Sequence, residues 1–133
     1  MRLELSRKTD LALRALRHLG REEGRVTRRD LAAAVGTSPD FVAKVLAPLV
    51  EAGWVRSGPG RGGGYELTPE AERISILDLI ERTEGIPSET TCVLRGGPCD
   101  PKGPCALHDP WMAARAALLD ELDRTPVWAG RPA

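Results

Sequence analysis

Residues 54–68 read WVRSGPGRGGGYELT. Two short pieces suited to extended backbone, Trp54 to Arg56 and Tyr65 to Thr68, flank a loop holding five glycines and one arginine. Such a pattern predicts a β-hairpin with a pliant tip, because glycine accepts the left-handed and strained backbone that a tight return needs. The function of the hairpin depends on what precedes it.

Working back from Trp54, two helix signals surround a tight turn. Thr27-Arg28-Arg29-Asp30 resembles a capping box that opens the short Ala-rich run LAAAV, and Gly36 stops it. Ser38 can cap a second helix and Pro39 can sit in its first turn, where no amide hydrogen is needed. That helix reads DFVAKVLAPLVEA, with Val42, Val45, Leu46 and Leu49 as its apolar stripe, Asp40, Phe41 and Lys44 off that stripe, and Gly53 at its end. Pro48 lies inside it and is expected to weaken or kink the last turn. Earlier still, Leu11, Ala12, Ala15, Leu16 and Leu19 recur at helical spacing opposite Arg14, Arg17 and His18, which predicts an amphipathic helix from Thr9 that ends at Gly20. The two helices around Gly36 read equally well as a plain helical hairpin or as a helix-turn-helix. The glycine-rich hairpin that follows decides between them, since it supplies a wing: glycines let backbone approach a phosphate surface, and Arg61 places a charged fork at the tip.

Working forward, Ser75-Ile76-Leu77-Asp78 resembles another capping box, opening a helix ILDLIERTE that closes at Gly85. Beyond Pro87 lies CVLRGGPCDPKGPCALH, residues 92–108, with every cysteine of the chain, three glycines and three prolines. That composition forbids an ordinary helix or strand. An odd count of three cysteines in one window fits metal binding or redox chemistry in a reducing compartment better than a secreted disulfide framework. Asp109-Pro110 then reads as a cap and first-turn pair for WMAARAALLDELDRT, whose Trp111, Ala114, Leu118, Leu119 and Leu122 keep one face apolar. This face lies far from the first core in sequence, so it needs either a second chain or the rest of the monomer to cover it. The closing TPVWAGRPA is expected to be poorly ordered.

Composition narrows the function classes. Residues 1–75 carry 13 basic against 10 acidic side chains and the remainder 6 against 9, a mild asymmetry that by itself argues little for a polyanionic partner. No apolar run long enough to cross a membrane and no signal-peptide centre are present, so a cytoplasmic protein with no membrane partner is expected. For an enzyme there is no nucleophile-base pair, no GxxxxGK and no supported pair of catalytic carboxylates, and His18 and His108 lack evident acid-base partners.

TDLALRAL, the helix-turn-helix, the RGGGYELT wing and the Cys92, Cys99, Cys105 spacing, in that order, resemble the IscR and NsrR family of bacterial winged-helix transcription regulators. The likeness covers about Met1 to Leu122. It implies a mainly α fold with a small β wing: a winged helix-turn-helix domain over 1–75, a connecting helix and linker over 76–91, a cluster-binding loop over 92–108, a dimerisation helix over 109–125 and a flexible tail over 126–133. It further implies a homodimeric regulator, most readily a repressor, on pseudopalindromic operator DNA, with an iron-sulfur cluster reporting redox state, nitric oxide or cluster supply. Dimerisation would then fall to Trp111, Leu118, Leu119 and Leu122.

Thiolates are the usual ligands of such clusters, and an imidazole can replace one. Cys92, Cys99 and Cys105 are the expected ligands, with His108 favoured as the fourth by position and by similarity to the IscR branch. Asp10 of TDLALR is the rival, since the NsrR branch completes its cluster with an aspartate from the partner subunit's first helix. A 2Fe-2S cluster is favoured and 4Fe-4S is the alternative; zinc is disfavoured because structural zinc sites pair their ligands more closely. A zinc-stabilised or clusterless regulator, and an iron-sulfur electron carrier, stand as competing readings. On DNA, Ser38, Asp40, Phe41 and Lys44 are expected at the major groove, Arg61 in the minor groove and Arg56 on a phosphate.

Overall fold

Among the described residues, hydroxyl groups start four of the five α-helices. Ser6 accepts from the Thr9 amide to open α1 (Arg7–Arg21), and Thr27 accepts from the Asp30 amide to open α2 (Arg28–Val35). Ser38, followed by Pro39, opens α3 (Pro39–Glu51), and Ser75 opens α4 (Ile76–Thr83) through a complete capping box with Asp78. Each hydroxyl satisfies an amide that the helix leaves without an internal partner. The computed structural model describes residues 2–60, 63–86, 92–94, 98, 100 and 102–130.

Helix α1 starts before Thr9 because Ser6 supplies the cap, and it runs one residue past Gly20. Gly36 ends α2 in the left-handed conformation at φ 76°, its amide donating to the Ala32 carbonyl. Pro48 is carried within α3, which continues to Glu51. The chain bends by 98° between α2 and α3, within the range of a helix-turn-helix.

Strands β1 (Val55–Gly58) and β2 (Gly64–Leu67) pair antiparallel, Val55 opposite Leu67 and Gly58 opposite Gly64. Tyr65 also exchanges both backbone hydrogen bonds with Val26, at 2.9 and 2.8 Å, which ties the hairpin to the approach of α2. Gly64 is required at this junction: its φ is +127°, and a Cβ there would lie 2.4 Å from the Val26 carbonyl oxygen. After a short 3-10 turn at Pro69–Arg73, α4 packs on α1 and α3.

The core unites Leu11, Leu16, Leu31, Leu46, Leu49 and Leu79 from four helices with Val55 of β1. Helix α5 (His108–Arg124) differs in kind, for none of its residues is buried.

Two expectations are corrected at the C-terminal end. Helix α5 begins at His108, with Leu107 at its cap and no side-chain cap bond. Asp109 therefore lies inside the first turn, and Pro110 with it, where a missing amide hydrogen costs nothing. The segment expected to be a flexible tail from residue 126 is instead docked through residue 129. Val127 is 0% exposed within the core, and its amide donates to the Ile74 carbonyl at 3.0 Å. The reason is apolar area: Val127 and Trp128 bring side chains that the core accepts once the chain turns back at Thr125. Residues 131–133 lie outside the described residues. Among the described residues, no single helix is long and apolar enough to cross a membrane.

Candidate nucleic-acid interface and cysteine site

The buried stripe of α3 points Asp40, Lys44, Ala47 and Glu51 outward along the opposite side, each exposed. Asp40 and Lys44 thus share an outward face near the start of the helix. Ser38 is exposed, but its hydroxyl accepts from the Phe41 amide at 3.2 Å, so the cap role occupies one of its lone pairs. Phe41 is half-buried and packs against the core, which leaves only part of its ring outside.

At the wing, Arg61 lies outside the described residues. Arg56 is exposed and its guanidinium sits 3.3 Å from Oε1 of Glu66, which Arg25 also approaches at 3.5 Å. One carboxylate therefore steadies two cations at the wing's base, a partial neutralisation that leaves excess positive charge. A groove of about 390 Å³ runs between the wing and the start of α2, bounded by Thr27, Arg28, Ser57, Gly60 and Tyr65. Arg28, whose segment the sequence offers only as a cap, also lines this groove, and both it and Arg29 are exposed at the amino-terminal end of α2, where the helix carries positive partial charge. The wing glycines also do more than expose backbone. A Cβ on Gly58 would collide with the Arg25 guanidinium, and one on Gly63 with the Gly58 carbonyl.

Of the three cysteines, Cys92 is buried and Cys105 half-buried, and their sulfurs are 3.9 Å apart. Two thiolates bound at about 2.3 Å to one tetrahedral metal stand about 3.8 Å apart, so this pair fits adjacent positions on one metal. Cys99 lies outside the described residues. Among the described residues, no group of three or more His, Cys, Asp and Glu is close enough to hold a metal ion. His108, half-buried, is tied to Cys105 by a turn in which its amide donates to the Cys105 carbonyl at 3.0 Å. Asp10 occupies the first turn of α1 and is ion-paired with Arg14 one turn later.

Where the chain leaves α4 for this loop, it is bound to the start of α1. The Glu84 carboxylate accepts from the Ser6 amide at 3.0 Å and from the Thr9 hydroxyl, while the buried Thr9 hydroxyl also lies 2.5 Å from that of Thr83. Partial desolvation pushes the Glu84 carboxyl upward, but the hydrogen bonds from Thr9 and Ser6 outweigh it and hold the group below its ordinary value. No local pattern announces this contact, which spans 75 residues of chain.

The family model described as "Rrf2: Iron-dependent Transcriptional regulator" matches residues 5–127. The chain is 36% identical over 128 residues to a Mycobacterium tuberculosis protein named as a candidate HTH-type transcriptional regulator, covering 94% of this chain and 79% of that one. It is 33% identical over 130 residues to the HTH-type transcriptional repressor NsrR of Streptomyces coelicolor, covering 94% and 86%. Among solved structures, CymR, the global cysteine regulator of B. subtilis, superposes with a TM-score of 0.74 at 26% identity over 95% of this chain and 94% of that one.

Proposed function

The chain belongs to the Rrf2 family of transcriptional regulators, and from that premise we propose that it is a homodimeric operator-binding repressor whose DNA affinity is set by an iron-sulfur cluster. The observation that carries the reading is the pairing of two thiol sulfurs at 3.9 Å, in a loop rooted on the same helix that packs against the DNA-reading core. Cys92, Cys99, Cys105 and His108 would hold the cluster, with the partner subunit's Asp10 as the alternative to His108. A 2Fe-2S cluster is favoured over 4Fe-4S. When bound, the cluster supplies iron-thiolate bonds that oxidants or nitric oxide can break.

The protein's own residues do the rest. Asp40 and Lys44 on the outward side of α3 read or contact the major groove, with Ser38 and the exposed part of Phe41 at its start. Arg56 and Arg61 meet phosphate and minor groove through the wing, and Arg28 adds a cation across the groove. Trp111 and Leu118, 39% and 47% exposed, offer the apolar face of α5 to a second copy, with the half-buried Leu119 at its margin. Leu122 packs partly on its own core, so its dimer role is shared with the monomer. The Glu84 contact to Ser6 and Thr9 gives the loop a direct hold on α1, through which ordering of the loop reaches the DNA-reading domain.

The test is anaerobic purification of the wild type and of Cys92→Ala, Cys99→Ala and Cys105→Ala, followed by absorption and Mössbauer spectra and operator titration. The reading expects a cluster spectrum in the wild type, its loss in each variant, and changed operator affinity with that loss. Three variants with the wild-type spectrum and wild-type DNA binding would contradict it.

A further inference from the structure

We propose that residues 125–129 form a strap that fixes the C-terminal end of α5 to the winged domain and thereby sets how far apart two recognition helices stand in a dimer. The second half of this statement rests on the operator-binding dimer proposed above. The first half stands on the monomer alone.

Helix α5 has no buried residue along its length, and its amino-terminal end continues into the cysteine loop. Its packing on α4, with Leu122 against the core, fixes it without any fully buried side chain. The strap beyond its last turn is held far more firmly, by three elements at once. The Thr125 carbonyl accepts from the Ile76 amide at 2.7 Å, which satisfies one of the unpartnered amides at the start of α4, and the Val127 amide donates back to the Ile74 carbonyl. Trp128 donates its indole N–H to the Ala71 carbonyl at 3.1 Å. From α1, the Arg17 guanidinium donates through Nε to the Val127 carbonyl at 2.9 Å and through Nη2 to the Ala129 carbonyl at 2.7 Å.

Arg17 is the keystone of this arrangement. Its planar fork addresses two carbonyls two residues apart, a geometry that the point charge of lysine cannot reproduce. Beneath the fork, Val127 is wholly enclosed. A change confined to the cysteine loop therefore acts on the amino-terminal end of α5, while the opposite end stays anchored. The strap is the fixed point of that lever, and its position determines where α5 presents its apolar face relative to α3.

Two readouts on the protein test the proposal, using Arg17→Lys and, as a separate variant that keeps an aromatic ring while removing the indole donor and part of the bulk, Trp128→Phe. By hydrogen exchange, Arg17→Lys should release the Val127 and Ile76 amides by roughly tenfold, the scale expected for losing charge-assisted hydrogen bonds, while the Leu46 and Leu79 amides keep their protection. Trp128→Phe should move the same two amides in the same direction by less. Unchanged protection of both amides in both variants would overturn the strap. Binding is then measured on duplexes carrying two copies of a half-site selected from a random pool by the wild type, with the spacer varied. The wild type should prefer one spacing; Arg17→Lys should flatten that preference while single half-site affinity stays within about twofold. A variant as selective for spacing as the wild type would refute the lever. A wild type with no spacing preference would instead sink the paired-operator reading, and the spacing claim with it, while the exchange result still decides whether the strap exists.

Discussion

Leu46 and Leu118 are both leucines on helices with an apolar face, yet the first is 0% exposed and the second 47%. The difference separates two regions of one chain. In the winged domain, hydroxyl caps, a shared core and the Val26–Tyr65 pairing satisfy the helices and the wing from within. Helix α5 lacks a side-chain cap and buries no residue, and its Trp111 and Leu118 look outward. The winged domain closes its own core, with Val127 as a late contribution, whereas α5 rests on α4 and leaves part of its apolar face uncovered.

Substitutions on the two leucines sharpen this contrast most. Leu46→Ala should destabilise the fold by about 2–5 kcal/mol in denaturant unfolding, from lost burial and the cavity left behind. Leu118→Glu should leave the winged core intact and act on association instead. By sedimentation equilibrium the wild type should run at twice the 14.4 kDa chain mass, and the variant at or near the single-chain value. Equal loss of stability at both positions would erase the distinction between the regions.

Val127 comes next, because it belongs to the core although it follows α5. Val127→Ala should cost about 2 kcal/mol by the same unfolding measurement, a core-sized effect from a position near the chain end. A cost within noise would return residues 126–129 to the status of a tail.

A smaller effect is expected at the α4 cap. Ser75→Ala removes the hydroxyl that accepts from the Asp78 amide and should cost about 1 kcal/mol. The smallest concerns pH. Glu84 is held below its ordinary value in the folded chain, so its contribution is present above the unfolded pKa and disappears as pH falls through the folded one. Stability should thus decline on the acid side of the ordinary glutamate range, and Glu84→Gln should remove that component, lowering the neutral-pH melting temperature slightly while flattening the acid limb. An acid limb of the same depth in Glu84→Gln would assign it to other carboxylates.

Features with a local signature were legible in the sequence. The Val42, Val45, Leu46, Leu49 stripe, the Thr27, Ser38 and Ser75 caps and the wing hairpin all depend on residues within one or two turns of each other, where period and capping chemistry are informative. Contacts between distant segments were not legible. The Glu84 to Thr9 bond and the Arg17 fork on the strap join residues 75 to 112 apart, and no periodicity encodes such a meeting. Val127 was misread for the same reason: two apolar residues among Pro, Gly and Arg resemble a tail until a core is there to receive them. At the cysteines, spacing pointed to shared chemistry, and the 3.9 Å approach of Cys92 and Cys105 is the kind of detail that spacing alone could not supply.

In the proposed regulator, control over how the winged domain meets DNA lies in the C-terminal region. The most direct test of this is one anaerobic titration of a wild-type-selected, paired half-site duplex with cluster-loaded protein and with the same preparation after chelation. Coupling of 1–3 kcal/mol predicts affinities that differ by about 5- to 150-fold between the two forms. Identical affinities for loaded and stripped protein, on DNA that both forms bind selectively, would contradict the account.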